Sequence, residues 1–271
     1  MLNDPWIAAL VALFLWWFST GAILVAVRIA DRRGLRAGHM ATVAALPMLG
    51  LGVWGIAATA DHATPGAVYH AFLSALAIWG WIEMAFLTGT ITGPNRMVLR
   101  RGVAEWERFI RAWGTIAYHE ILLTGATIAL GLFLWDAANP FGFLTFALLF
   151  AARVSAKLNL FLGVPKINTE FLPAALAHLP SHFRHARLNW LFPISITGLT
   201  LAVGCWLALV ATSEHLSGTI GFSLLSAMTA LALLEHWFMV LPLPDEKLWR
   251  WMLPAPKPEM TKTTTEDAHG L

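Results

Sequence analysis

Charge is scarce in this chain. Asp, Glu, Lys and Arg make up 13% of its 271 residues, while 58% are hydrophobic. A soluble domain is nearer a quarter charged and half apolar. Too few polar side chains remain to cover the apolar ones, so the sequence excludes a water-solvated globule and asks for lipid as solvent. Cysteine is almost absent. The lone Cys205 lies inside an apolar stretch, which excludes a disulfide framework and a cysteine metal knuckle. There is no G-x-x-x-x-G-K-[ST] phosphate loop, no G-x-G-x-x-G turn after a strand, no G-x-S-x-G elbow and no HEXXH. The start, MLNDPW, has no basic n-region, and the apolar run after it is too long for a signal h-region. It reads as a first membrane span.

What the chain has in quantity is long apolar runs. About 20 such residues cross the hydrocarbon core as a helix, and seven runs qualify: 6–30, 39–60, 67–91, 115–135, 142–164, 190–211 and 218–243. The fold class expected is all-α, a single polytopic bundle of seven transmembrane helices over residues 1–253. The connections 61–66, 136–141 and 212–217 contain no Lys or Arg. Basic residues are retained on the cytoplasmic side of a membrane. With the N-terminus periplasmic and the C-terminus cytoplasmic, all 18 Lys and Arg, from Arg28 to Lys262, fall on the cytoplasmic side or the helix ends adjoining it. The reverse orientation would invert every one. The same basic residues trace a membrane interface and no soluble reading head, so nucleic acid is not an expected partner; lipid is.

Two cytoplasmic segments read as structured. Over 94–113, Leu99, Val103, Trp106, Ile110 and Trp113 recur at helical spacing, with Arg100, Arg101, Glu105, Arg108 and Arg111 largely elsewhere on the wheel. This predicts a helix lying in the interface. Segment 168–188 is apolar and histidine-rich, with Pro173 and Pro180 as bends and Ser181 as a cap for a short helix. Residues 254–271, rich in Pro and Thr without apolar periodicity, read as a disordered tail.

Ionisable groups within spans are costly and mark function by default. Here Glu83, His119, Glu120, Arg153, Lys157, Glu235 and His236 gather toward the cytoplasmic pole, joined by the loop residues His178, His182 and His185. Three readings follow. Arg153 and Lys157, four apart on one helix face, can neutralise the carboxylates as structural ion pairs. Glu83, His119, Glu120, His178, His182, His185, Glu235 and His236 can supply the carboxylates and imidazoles of an iron or zinc site. His236, with Ala232 a turn before it, or His70, between Gly66 and Ser74, can offer an axial ligand to a tetrapyrrole.

The stretches GTITGPNRM, FAARVSAKLNLFLGVPKINTEFLP and FRHARLNWLFP, with the length and span pattern, resemble the PuhE family, photosynthetic complex assembly protein 2 of purple phototrophic bacteria. The likeness extends over the chain up to the tail. It rests most on Arg153-x3-Lys157-x-Asn159-Leu160-x-Leu162-Gly163 and Arg187-Leu188-Asn189. The resemblance implies a multi-pass protein of the bacterial inner membrane that supports assembly of the photosynthetic apparatus or bacteriochlorophyll supply. Its partners would be reaction-centre or light-harvesting subunits and pigment-synthesis enzymes. It carries no catalytic residues over. A membrane metalloenzyme, acting at the cytoplasmic pole on a pigment precursor, is the alternative.

Overall fold

The computed structural model describes residues 3–100, 102–169 and 172–242. Among these there is no strand, and eight α-helices make up the fold: α1 (Pro5–Arg32), α2 (Leu35–Ala44), α3 (Leu46–Thr59), α4 (Pro65–Leu87), α5 (Glu105–Phe133), α6 (Phe141–Leu162), α7 (Leu191–Thr212) and α8 (Leu216–Phe238). With α2 and α3 counted as one broken span, seven helices are long and apolar enough to cross a membrane.

Local chemistry sets the helix ends. Asp4 accepts from the Trp6 amide at 2.8 Å, with Pro5 opening α1. Thr64 caps α4 by accepting from the Ala67 amide, with Pro65 at its first position. These pairings satisfy amide groups that a helix start leaves without partners, and proline has none to satisfy there. Asn139 ties two helices together. Its side chain donates to the Thr59 carbonyl at the end of α3 and accepts from the Phe141 amide at the start of α6.

The break between α2 and α3 follows from Pro47. Proline has no N–H to offer the Val43 carbonyl four residues back, and its ring crowds that turn. The neighbouring Thr42 carbonyl receives the Trp81 indole N–H from α4 at 3.1 Å instead. The fourth span also differs from the sequence expectation. No separate interfacial helix covers the described part of 94–113: residues 94–100 and 102–104 are irregular, and from Glu105 one helix runs unbroken to Phe133. The same periodicity that predicts an interfacial helix also suits the first turns of a longer one. Of segment 168–188, the described part forms two single 3-10 turns, Ala174–Leu176 and Leu179–His182. Ser181 lies inside the second and does not cap a helix; its hydroxyl donates to the His178 carbonyl at 2.7 Å. The expected tail 254–271, Leu243 at the end of the seventh span, Arg101, Lys247, Arg250, Lys257 and Lys262 fall outside the described residues.

Successive spans joined by short turns alternate in direction, so α1, α4, α6 and α8 run parallel. These four pack on one another, with α3, α5 and α7 against α4, α6 and α8 from outside. Helices α4 and α8 are the interior ones: 67% and 56% of their most apolar windows are buried, against at most 22% in the other spans. Packing along the four parallel helices is uneven. In the half nearest their N-termini, Ala8 and Ala12 of α1 meet Val68 and Phe72 of α4, Phe141 of α6, and Ile220 and Leu224 of α8 in a closed core. Ala8 and Ala12 are fully buried small residues, and Gly221 leaves room for the Phe141 ring, which a β-carbon there would strike. Toward the basic pole the same helices part around a space.

Candidate functional site: a polar cavity in the inner half of the bundle

That space is a cavity of about 300 Å³. Its walls are apolar, with Trp16 and Ile23 from α1, Leu76 and Trp79 from α4, Leu149 from α6, and Met228 from α8. Asn168 and Leu172 reach it from the loop after α6. Three ionisable side chains line it: Glu83, Arg153 and Glu235. An apolar concavity with a few convergent polar groups is the usual form of a small-molecule site.

Helices α4, α5 and α6 build the charged side of this cavity. Arg153 Nη2 donates to Glu83 Oε2 at 3.0 Å. On the other side of Glu83, Nε2 of the fully buried His119 stands 3.7 Å from Oε1, too far for a hydrogen bond, and its ring lies against Phe86 with centroids 4.4 Å apart. Neither ring nitrogen of His119 has a hydrogen-bond partner among the described residues. One turn along α6, Lys157 donates to Glu120 of α5, and its ammonium lies 5.6 Å from the Phe86 ring centroid. Glu235 of α8 is within electrostatic reach of Arg153 and Glu83. Its carboxyl makes no hydrogen bond or ion pair among the described residues, and it is exposed.

His119 owes its position to the segment Gly89–Asn95, which is laid against α5. The His119 amide donates to the Thr92 carbonyl at 3.0 Å, the Asn95 amide to the Gly114 carbonyl at 3.0 Å, and the Asn95 side chain to the Arg111 carbonyl at 2.9 Å. Gly93 lies so close to the Gly114–Ile116 backbone that a β-carbon would collide with it. A segment inserted against a helix ladder locally diverts its bonds. This gives the motif GTITGPN a structural purpose.

His236 belongs to a second, separate network. Nδ1 faces the Ala232 carbonyl at 2.8 Å, and a carbonyl only accepts, so Nδ1 carries the proton. The other ring nitrogen, Nε2, is hydrogen-bonded to Ser155 Oγ at 2.9 Å. Ser155 Oγ donates to Ser195 Oγ at 2.9 Å, and Ser195 Oγ also accepts from the Asn159 side chain at 2.9 Å. Helices α6, α7 and α8 are joined by this chain, which leaves neither nitrogen of His236 free. Asn189 continues it: its amide donates to the Gly163 carbonyl at 2.8 Å, and its Oδ1 accepts from the Leu191 and Phe192 amides that begin α7. Sequence reasoning did not single out Ser155, Ser195, Asn159 or Asn189 for roles. The available signals were an asparagine within an apolar span and another just before a helix start, a capping position.

The loop histidines form a third group. Nε2 of His182 faces the Met97 carbonyl at 3.1 Å, and Arg108, buried and 3.9 Å from the Phe161 ring centroid, donates to the carbonyls of Phe161 and His182. The Leu99 amide donates to Ser181 at 2.9 Å, and Asp31 at the end of α1 accepts from the Ala174 amide at 3.2 Å. The loop is thus fastened to α1, α5 and α6. Burial, together with each other's charge and Arg96, pushes protonation of His178 below the ordinary histidine range. For His182, burial and the nearby Arg108 and Arg111 outweigh the Met97 bond in the same direction. His185 is exposed, with its backbone paired to Val164. His70 is exposed near the start of α4, away from the cavity.

The ligand-type residues therefore fall into sets: Glu83 with His119, Glu120 with Lys157, Glu235 on the cavity wall, His236 on Ser155, and His178 beside His182. Among the described residues, no three His, Cys, Asp or Glu side chains come together as a metal site.

Comparison with known proteins gives a family. The chain belongs to the family described as "Protein of unknown function (DUF3623)". The match runs over residues 2–260. The chain is 54% identical, over 99% of its own length and 98% of the relative's, to a protein of Rhodobacter capsulatus described as "Uncharacterized 30.4 kDa protein in puhA 5'region". No solved structure matches.

Proposed function

We propose that this chain is a multi-pass protein of the bacterial inner membrane that supports assembly of the photosynthetic apparatus or the supply of bacteriochlorophyll to it. The observation that carries the reading is the place of the Rhodobacter capsulatus relative in the puhA 5' region; the PuhE resemblance implies a gene that travels with that of the reaction-centre H subunit. Full-length identity of 54% supports a shared role. In this reading the chain works as one transmembrane domain with its N-terminus periplasmic and its C-terminus cytoplasmic. The distribution of arginine and lysine supports that orientation. The PuhE resemblance belongs to the same reading, and the partners are reaction-centre or light-harvesting subunits and pigment-synthesis enzymes. A helical surface that is apolar nearly all round suits lateral association with other membrane subunits.

The test is an in-frame deletion of the relative's gene in Rhodobacter capsulatus, with puhA supplied from a second site and this chain supplied in trans. Membrane absorbance separates assembled reaction centres and light-harvesting complexes from free pigment. The expected outcome is loss of assembled complexes on deletion and their return with this chain. Unchanged complexes and pigment in the deletion strain would overturn the reading.

A further inference from the structure

We propose that the cavity between α1, α4, α6 and α8 is a binding site for a lipid-soluble molecule bearing a hydroxyl group, held between the Arg153 guanidinium and the Glu235 carboxyl. This inference stands on the cavity and not on the assembly role, so either can fail without the other.

The volume, about 300 Å³, sits at the lower end of small-molecule sites, ~300–1,000 Å³. It is large enough for a ring or a branched chain and too small for an entire macrocyclic pigment. Trp16, Trp79, Leu149 and Met228 suit an apolar body. The head group is selected by what the protein leaves unbonded. Arg153 gives Nη2 to Glu83, its side chain is 41% exposed, and its Nη1 makes no hydrogen bond among the described residues. Glu235 lines the same cavity with no hydrogen bond of its own among the described residues. One group is a donor and the other an acceptor. In a low-dielectric space, polar groups left without partners are costly.

A hydroxyl accepts from a guanidinium and donates to a carboxylate, so it answers both at once. Other heads answer one and offend the other. The cavity is lined by two carboxyl side chains, Glu83 and Glu235, and one cation, Arg153, already engaged by Glu83, so a phosphate or carboxylate head finds no cation of its own. An ammonium pairs with Glu235 but sits against Arg153. A ketone or ether accepts from Arg153 and gives Glu235 nothing. The shared chemistry, an apolar body ending in a hydroxyl, can come from an isoprenoid alcohol or from a hydroquinone ring.

The experiment uses the full chain purified in detergent micelles, with helix melting followed by circular dichroism. The probes are farnesol, farnesyl methyl ether, farnesylamine, farnesoic acid and trimethylhydroquinone. A ligand at a hundredfold excess over its dissociation constant raises Tm by about 5–10 °C in a chain of this size. The expected result is a saturable rise with farnesol or with trimethylhydroquinone, and little with the ether, amine or acid. A rise with farnesol alone assigns the isoprenoid source, and with the hydroquinone alone the ring. Glu235→Leu, which removes the acceptor without stranding a bonded partner, and Ala152→Phe, which fills the cavity that Ala152 of α6 lines, should both fold with native helix content and lose the rise. An equal rise with the ether or amine, a rise retained in both variants, or no rise with either hydroxyl probe overturns the proposal.

Discussion

Replacing Lys157 with methionine isolates the cost of a stranded carboxylate inside this bundle. Lys157 and Glu120 bond to each other with side chains only 19% and 14% exposed, and neither lines the cavity. At a water-exposed surface such a pair is worth at most ~1 kcal/mol. With both partners less than a fifth exposed, the buried regime applies, where removing one partner costs about 3–5 kcal/mol because the other charge stays behind. The electrostatic help that Lys157 gives Glu83 and its contact with Phe86 are lost with it. At ~2–4 °C per kcal/mol, Lys157→Met should lower Tm in micelles by about 6–20 °C. Replacing both partners, Lys157→Met with Glu120→Met, removes the stranded charge and should recover most of that loss, since apolar replacement of a buried pair is often neutral. The assay is a double-mutant cycle on thermal unfolding. If the double variant is as unstable as Lys157→Met, the loss comes from packing and the argument fails. If Lys157→Met costs under ~1 kcal/mol, water reaches Glu120 and the site is not buried.

Acidification should loosen the loop after α6. His178 and His182 both protonate less readily when docked than in an open chain, so the open form binds more protons and docking weakens as pH falls below the ordinary histidine value of about 6.5. Hydrogen exchange at the Leu99 amide, bonded to Ser181, should accelerate in that direction; exchange independent of pH, after correction for its intrinsic rate, would contradict this. Gly93→Ala should destabilise by ~2 kcal/mol or more, because the added carbon meets the Gly114–Ile116 backbone, which cannot turn aside; an unchanged melting curve would refute the close approach. Reporter fusions after Asn139 and Glu214 should register periplasm, and those after Gly102 and Lys166 cytoplasm. A cytoplasmic signal at Asn139 would break the orientation.

Read in one dimension, the sequence determined that the chain is helical and how many spans it has. Apolar run length against bilayer thickness is a property of consecutive residues, and so is the pairing of Asp4 with Pro5 or Thr64 with Pro65 at helix starts. It also gathered the ionisable residues of the third, fourth, fifth and seventh spans at one pole, because the direction of each span follows from counting. Helix boundaries were less legible. Leu35 and Glu105 open their helices earlier than the apolar runs suggest, since helical hydrogen bonds do not stop where hydrophobicity does. Only the tertiary structure decided which polar groups meet. Glu83 and Arg153 are 70 positions apart, and their pairing depends on the rotation of α4 and α6 about their own axes, which packing sets. The same packing turned His236 toward Ser155 and left Glu235, its chain neighbour, on the cavity wall. Adjacent residues on a helix point about 100° apart, so neighbours in sequence face different surroundings. The cavity itself is the least local feature: its lining comes from four helices and a loop, from Trp16 of α1 to Glu235 of α8, and no stretch of sequence carries it.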